Sequence, residues 1–180
     1  MQSLRITGGS LRGRRVPVPP AQTRPTSERA RQAFFNIVGP RIEDARFLDL
    51  FAGSGVFSFE ALSRGAASAT AIDQDQKAMA TVSRLAAEWG VAVEAMAADV
   101  ERTLSRVSGR YDLVYADPPY SFDGYERLVA AISARIEPSA TSMVAIEHRR
   151  RSEPFKSVDG PLKPGRRAEY GEVWITFFQL

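Results

Sequence analysis

The chain has 180 residues, enough for one domain with a short extension, and its 44% hydrophobic and 25% charged residues are typical of a globular protein. It has no cysteine and one histidine, His148, which excludes disulfides, thiolate zinc sites, cysteine nucleophiles and metal sites built from several histidines. The net charge of +3 is uneven, because residues 1–46 carry +6, residues 47–146 carry −5 and residues 147–180 carry +2.

Basic ends around an acidic middle suit a polyanion such as nucleic acid. An arginine-rich surface that only faces solvent would give the same distribution. The N-terminus lacks the apolar segment of a secretion signal, and no apolar run reaches the length of a membrane span. We therefore expect a cytoplasmic protein with no membrane partner.

The N-terminal 40 residues differ from the rest and are predicted to form a basic arm and helix that face the partner. The stretches LRITGG and GRRVPVP predict a small hairpin or an extended arm. A helix is predicted over residues 27–38, with Thr26 or Ser27 as its cap. The face predicted to pack on the core consists of Ala30, Ala33, Phe34, Ile37 and Val38.

Residues 41–180 alternate strand and helix patterns and are predicted to form the main domain. Strands are predicted at 45–51, 68–73, 91–98, 111–117, 141–148 and 169–178, with a short partner strand near 154–159. Helices are predicted at 56–65, 77–89, 100–106 and 125–136. This order of elements predicts an α/β fold with a doubly wound, mostly parallel sheet.

A glycine-containing turn follows the first strand of this domain, in the sequence DLFAGSG at residues 49–55. Such a turn lets a ligand lie against bare backbone near the start of a helix. On its own the turn could be only a tight strand-to-helix connection. A nicotinamide-binding domain is disfavoured because Ser58 occupies the position of the third glycine and no hydride-transfer site is recognisable.

Two acids follow the next strands and complete a candidate cofactor site. Asp73 ends the second strand, where a carboxylate can accept both hydrogen bonds of a ribose diol, and Asp75 could serve instead. Asp99 follows the third strand, within reach of an adenine amino group. It is also suited to capping the helix that begins at residue 100.

The fourth strand ends in Asp117-Pro118-Pro119-Tyr120. The two prolines remove two backbone donors and fix the chain direction. The Asp117 carboxylate and the Pro118 carbonyl can then hold the two hydrogens of an amino group, while Tyr120 offers a stacking face for a base. This combination predicts a site that presents an amine to an electrophilic methyl group.

FLDLFAGSG, Asp73, Asp99 and DPPY, in this order, resemble the class I methyltransferases, and DPPY resembles the signature of their amino-group N-methyltransferases. RITGGSLRGRR, TRPTSERARQAFFNIV and EALSRGA narrow the resemblance to the RsmD family, bacterial guanine-N2 methyltransferases of small-subunit ribosomal RNA. The similarity extends over nearly the whole chain.

The resemblance implies a Rossmann-like, seven-stranded sheet, S-adenosylmethionine as cofactor, no metal, and a monomer acting on ribosomal RNA or the small subunit. The cofactor would be bound by Asp49, Phe51, Ala52, Gly53, Ser54, Gly55, Asp73, Gln74, Asp99 and Val100. The guanine amine would be held by Asp117, Pro118, Pro119 and Tyr120. RNA would be contacted by Arg5, Arg12, Arg14, Arg15, Arg24, Thr26 and Arg29.

Two other interpretations remain open from the sequence. A DNA adenine or cytosine methyltransferase can use the same DPPY turn, although it usually adds a target-recognition segment. A non-catalytic RNA-binding module could carry the same basic arms, with a cofactor pocket that has lost its function.

Overall fold

The computed structural model describes residues 2–19, 28–107, 109–150, 152–156, 158 and 160–180. The strands are β1 (Ser3–Arg5), β2 (Arg15–Pro17), β3 (Arg46–Leu50), β4 (Ser68–Asp73), β5 (Val93–Ala97), β6 (Leu113–Ala116), β7 (Met143–Arg149), β8 (Lys163–Tyr170) and β9 (Val173–Gln179). The helices are α1 (Glu28–Val38), a short 3-10 helix (Gly39–Ile42), α2 (Val56–Ser63), α3 (Gln76–Trp89), α4 (Val100–Leu104) and α5 (Tyr125–Ser133). Among the described residues, no helix has the length and apolar character needed to cross a membrane.

Seven strands form one sheet in the order β5-β4-β3-β6-β7-β9-β8. The first five strands in this order are parallel, and β9 and β8 are antiparallel additions at one edge. The predicted doubly wound, mostly parallel α/β sheet is confirmed. The order of strands reverses between β3 and β6, because β4 and β5 continue to one side while β6 and β7 continue to the other. This is the topological switch point, where open α/β sheets bind ligands.

Each face of the sheet has its own apolar core. One face packs against α1, α2 and α3, and the other against α4 and α5. Phe34 of α1 lies at the centre of the first core, with ring centroids 5.0 Å from Tyr115 and 5.6 Å from Phe57. α1 therefore packs on the sheet as predicted, and Phe35, also expected in the core, is buried; its buried face further includes Arg31, which the sequence pattern did not indicate.

The predicted end of the sheet is wrong. Residues 169–178 were predicted to form one strand with a partner at 154–159, but the chain turns at Gly171 and Glu172 and forms the hairpin of β8 and β9. β8 is an edge strand containing Pro164 and Gly165, with an irregular register between Pro164 and Arg167. Charged residues, proline and a bulge are tolerated at a sheet edge and conceal the apolar alternation of a strand.

The N-terminal arm is joined to the main domain through one buried carboxylate, Glu60 of α2. Its oxygens accept hydrogen bonds from the amide nitrogens of Thr7, at 2.9 Å, and Gly8, at 3.0 Å. Arg64 and Arg31 form ion pairs with the same carboxylate at 2.8 and 3.4 Å. Arg31 also donates to the Arg5 carbonyl at 2.7 Å, so the hairpin, α1 and α2 meet at this point.

The second glycine of the arm is required by the closeness of this contact. Gly9 has a φ of +75°, and a Cβ atom placed there would lie 1.6 Å from the Ser63 carbonyl oxygen. The neighbouring amide of Ser10 donates to that same carbonyl at 2.8 Å. Only glycine lets the arm approach the end of α2 so closely.

The substitution Glu60→Gln is expected to destabilise the fold strongly, because it leaves the buried Arg31 guanidinium without its counterion. Removing one partner of a buried ion pair costs about 3–5 kcal/mol. The matched control is Glu88→Gln, since Glu88 pairs with Arg84 across one turn of α3 but is exposed; an exposed pair contributes about 0.5 kcal/mol or less. Urea unfolding of both variants measures the difference, and equal losses would show that Glu60 does not hold the arm in place.

Candidate active site at the switch point of the sheet

A cavity of about 750 Å³ opens at the carboxyl ends of β3 and β6. The two strands are paired in parallel register up to Leu50 and Ala116, and the Asp117 amide continues this pairing by donating to the Leu50 carbonyl at 3.2 Å. The glycine turn after β3 and the Asp-Pro-Pro-Tyr turn after β6 therefore begin side by side. The volume lies in the range of pockets that bind small molecules.

The glycine turn forms one wall of the cavity. Phe51 and Gly53 line it, and both have the left-handed backbone, with φ values of 59° and 52°. Gly55 has a φ of 73°, and a Cβ atom there would lie 2.7 Å from a methyl group of Val82. A non-glycine residue with positive φ at a cavity wall is backbone strain of the kind found at functional sites.

Asp49, near the end of β3, connects this strand to the helix that follows the turn. It is buried, and its Oδ2 accepts hydrogen bonds from the Ser58 amide at 3.1 Å and the Ser58 hydroxyl at 2.7 Å. Burial raises the pKa of Asp49 to about 7; the charges of Asp117 and Asp73 add to the shift and the bonds from Ser58 oppose it. Asp49 thus ties β3 to the start of α2.

Six of the ten residues predicted to bind the cofactor line the cavity. They are Phe51, Gly53, Asp73, Gln74, Asp99 and Val100. The other four lie in or beneath the turn rather than among the described lining residues, and they are Asp49, Ala52, Ser54 and Gly55.

The two predicted cofactor acids are held by backbone donors. Asp73 accepts from the amides of Gly53, at 2.8 Å, and Asp75, at 2.9 Å. Asp99 accepts from the Arg102 amide at 2.9 Å and so caps α4 while it also lines the cavity. Asp75, the alternative to Asp73, caps α3 by accepting from the amides of Lys77 and Ala78. The capping function considered for Asp99 is therefore present.

All four residues of the Asp-Pro-Pro-Tyr turn line the opposite wall. The Pro119 carbonyl accepts from the Phe122 amide at 2.8 Å, which closes the turn. Tyr120 is 41% exposed, and the Arg149 guanidinium carbon lies 4.6 Å from the centre of its ring. The cation–π contact holds an aromatic surface at the mouth of the cavity.

Glu147 and Arg149, at the end of β7, also line the cavity, and the sequence pattern did not indicate them. Glu147 is 5% exposed, and its Oε2 accepts a hydrogen bond from the Tyr115 hydroxyl at 2.7 Å. One signal was available, because Glu147 lies near the end of β7, the strand next to the one that Asp117 follows. A lone acid in a predicted strand is too common to be singled out.

His148 lies between these two residues in sequence but is buried beneath the strand end. Its ring nitrogens lie 2.8 Å from the Thr176 hydroxyl and 2.9 Å from the Ser152 hydroxyl. Burial lowers the pKa of His148 to about 4. These contacts give it a structural function.

The cavity is strongly acidic. Its described lining contains six carboxylates and one guanidinium, Arg149. Such a field favours a cationic ligand and disfavours the pyrophosphate of a dinucleotide. Among the described residues, no three histidines or acids are grouped so as to hold a metal ion.

The predicted RNA-facing arginines of the described arm are exposed. They are Arg5, Arg12, Arg14, Arg15 and Arg29. Three of them have contacts within the protein: Arg5 lies 3.6 Å from Glu28, Arg14 lies over the Trp89 ring at 5.1 Å, and Arg15 donates to the Ser3 hydroxyl at 3.2 Å. Arg24 and Thr26 lie outside the described residues. Pro19, which follows β2, reaches the cavity wall.

A doubly wound sheet of this strand order, with a glycine turn and an Asp-Pro-Pro-Tyr turn at its switch point, has the class I methyltransferase fold. The comparisons with known proteins agree. The family described as "Conserved hypothetical protein 95" matches residues 4–179. Escherichia coli yhhF, named as a candidate methyltransferase, has a structure similar at a TM-score of 0.84, with 30% identity and coverage of 99% of this chain and 98% of that one.

Two sequence relatives narrow the assignment, and one further solved structure shares the fold. YlbH of Bacillus subtilis, named as a candidate rRNA methyltransferase, is 32% identical over 98% of both chains. "Ribosomal RNA small subunit methyltransferase D" of Escherichia coli is 39% identical over 65% of this chain and 60% of that protein. Thermus thermophilus RsmC, a 16S rRNA N2 G1207 methyltransferase solved with AdoMet and guanosine, shares the fold at a TM-score of 0.75 and 18% identity, over 99% of this chain and 49% of that one. This chain belongs to the RsmD family of ribosomal RNA methyltransferases.

Acidification is expected to remove the stability that the neutral, buried His148 ring contributes. Because its folded-state pKa of about 4 lies below the ordinary 6.5, the unfolded state binds one more proton between these values and stability falls as the pH falls. The His148 contribution falls by about 2 kcal/mol between pH 7 and pH 5. Protonation of Asp49, whose pKa is raised to about 7, acts in the opposite direction in both the wild type and the variant, so the difference between them reports His148. Urea unfolding of the wild type and of His148→Gln at both pH values isolates this term, and parallel losses in the two proteins would contradict the assignment.

Proposed function

We propose that this protein transfers a methyl group from S-adenosylmethionine to the exocyclic N2 amine of a guanine in small-subunit ribosomal RNA. The observation that carries the proposal is that the glycine turn and the Asp-Pro-Pro-Tyr turn line one cavity at the switch point. Family membership supports ribosomal RNA as the substrate. The choice of an exocyclic amine rests on the chemistry of the second turn, and the choice of guanine N2 rests on the resemblance to the RsmD family.

The residues present fit S-adenosylmethionine. Phe51 and Gly53 bring bare backbone to the cavity, and Asp73 and Asp99 follow at the ends of the two neighbouring strands, in the order expected for a ligand lying across the strand ends. The acidic lining suits a cofactor with a positive sulfur and an amino group. When bound, S-adenosylmethionine supplies an electrophilic methyl carbon on that sulfur.

The Asp-Pro-Pro-Tyr turn would position the amine. The Asp117 carboxylate and the Pro118 carbonyl accept one hydrogen each from the NH2 group, which turns the nitrogen lone pair out of conjugation with the ring and toward the methyl carbon. Held in this way, the nitrogen would be placed to form its bond to the methyl carbon, with the carbon–sulfur bond breaking and its electron pair leaving on sulfur. The new ammonium is acidic and loses a proton, to Asp117 or to water.

Catalysis of this kind comes from positioning and electrostatics rather than from a covalent enzyme intermediate. The Tyr120 ring, held at the mouth of the cavity by Arg149, would stack on the target base. A base paired in folded RNA must be unstacked to reach this depth. The exposed arginines of the arm would bind phosphates beside it and position the RNA.

The substitution Asp117→Ala is expected to abolish methyl transfer while leaving cofactor affinity within a few-fold of the wild type, because Asp117 grips the amine. The assay supplies S-adenosylmethionine labelled in the methyl group to small ribosomal subunits from cells lacking this protein. Mass spectrometry of the digested RNA then identifies the nucleoside. N2-methylguanosine is the expected product.

Asp123→Ala is the matched control, since this acid lies six residues further on and its side chain is 95% exposed. It should retain full activity. Turnover of Asp117→Ala at the wild-type rate would refute the mechanism. Label transferred to genomic DNA instead of subunits would favour the DNA methyltransferase, and failure to bind S-adenosylmethionine would favour the non-catalytic RNA-binding module.

The double substitution of Arg12 and Arg15 to Gln is expected to weaken RNA binding and its salt dependence, because each arginine on a phosphate releases about one counterion. The plot of log affinity against log salt concentration should become shallower by about two. The matched control is the same exchange at Arg84 and Arg106, exposed residues of α3 and of the segment after α4. Equal slopes for the two double variants would show that the arm is not the RNA-binding surface.

A further inference from the structure

We propose that Glu147 selects guanine as the target base, by accepting a hydrogen bond from its N1–H while the neighbouring Asp117 turn holds the N2 amine. This inference rests on the proposed function and identifies the residue that gives it its base specificity. Tyr115 is the positioning residue that acts through Glu147.

The strand register places the two carboxylates beside each other. β6 and β7 are parallel, and their last paired positions are Ala116 with Ile146. Asp117 and Glu147 each come one residue later, on strands that lie about 4.8 Å apart. Both line the cavity. The Tyr115 hydroxyl donates to Glu147, so these two side chains lie on the same face of the sheet. Asp117 comes two residues after Tyr115 and therefore points to that face as well.

Glu147 is held rigidly enough to discriminate. It is 5% exposed, and the Tyr115 hydroxyl donates to its Oε2 at 2.7 Å. The Tyr115 ring is in turn fixed by Phe57, stacked on it with centroids 3.8 Å apart and an interplanar angle of 12°. A buried carboxylate with a fixed donor cannot rotate away from a mismatched base, so a wrong partner leaves polar groups unmatched.

The Tyr125 hydroxyl lies close enough to both Asp117 and Glu147 to be affected by their charges. Tyr125, at the start of α5, has a pKa raised to about 12, mainly by burial and then by the charges of Asp117 and Glu147. The two carboxylates therefore act on one small region. Their combined charge is partly balanced by Arg149 on the same wall.

The chemistry of the bases makes this pair specific. Guanine presents two adjacent donors on its Watson–Crick edge, N1–H and the N2 amine, and two adjacent acceptor groups complement them. Adenine has an acceptor at N1 beside its N6 amine, and cytosine has an acceptor at N3 beside its N4 amine. A carboxylate that accepts hydrogen bonds repels both. The two acceptors of the Asp117 turn would bind the amine of guanine, adenine or cytosine alike. Glu147 would exclude adenine and cytosine.

The test compares two acceptor RNAs made by splinted ligation. They carry either guanosine or 2-aminopurine riboside at the nucleotide that the wild type methylates. If the enzyme does not accept naked RNA, each RNA is first reconstituted into small subunits. 2-Aminopurine keeps the amine but lacks N1–H. The wild type should prefer guanosine by about 10- to 100-fold in kcat/KM. Glu147→Gln should lose about 10-fold or more of this preference, chiefly through slower reaction with guanosine. Tyr115→Phe should shift the same ratio in the same direction, by less.

Glu88→Gln, an exposed acid on α3, is the control for the change in charge and should keep the wild-type ratio. Affinity for S-adenosylmethionine and the urea midpoint establish that each variant is folded. The assignment would be overturned if Glu147→Gln lost kcat/KM equally on both acceptor RNAs, or if the ratio of kcat/KM for the two RNAs were unchanged in both variants. Glu147 would then have only a structural function. Failure of the wild type to form N2-methylguanosine would instead refute the proposed function itself.

Discussion

In a parallel sheet wound outward in both directions, the two central strands leave a crevice at their carboxyl ends that no crossover covers, and in this protein those strands are β3 and β6. Their register is continued past the last pair by the amide of Asp117 on the carbonyl of Leu50. Because of this pairing, the turn after each strand starts from the same edge. Every proposed contact, from the cofactor acids to the amine grip, depends on that alignment.

The charge distribution gives the site its second constraint. A chain of net charge +3 concentrates six carboxylates around one cavity and leaves its arginines exposed on the arm. Opposite fields on neighbouring surfaces would separate the two proposed ligands, the sulfonium cofactor in the cavity and the RNA phosphate backbone on the arm. The pKa of Asp49 is raised to about 7 mainly by burial, and the charges of Asp117 and Asp73 at the neighbouring strand ends add to the shift. Unfavourable burial of an acid is tolerated at functional sites more often than elsewhere in a protein.

The sequence predicted the parts of the protein that rest on local patterns. The glycine turn, the Asp-Pro-Pro-Tyr turn and the parallel strands were recognisable because each is encoded within a few residues. Glu60 and Glu147 were not, since the burial of an acid depends on partners contributed by distant segments. β8 was missed for a third reason, because an edge strand keeps charge, proline and glycine where a central strand would show apolar alternation.

The Glu60 junction also limits how the arm can be exchanged between relatives. Its carboxylate belongs to α2, but two of its donors are backbone amides of Thr7 and Gly8, and Arg31 comes from α1. An arm grafted from another protein would have to reproduce the double glycine and the approach to Ser63, or leave the buried Glu60 carboxylate without its two backbone donors. The exposed arginine side chains of the hairpin can therefore be changed without disturbing this junction, whereas transplanting the hairpin would disturb it.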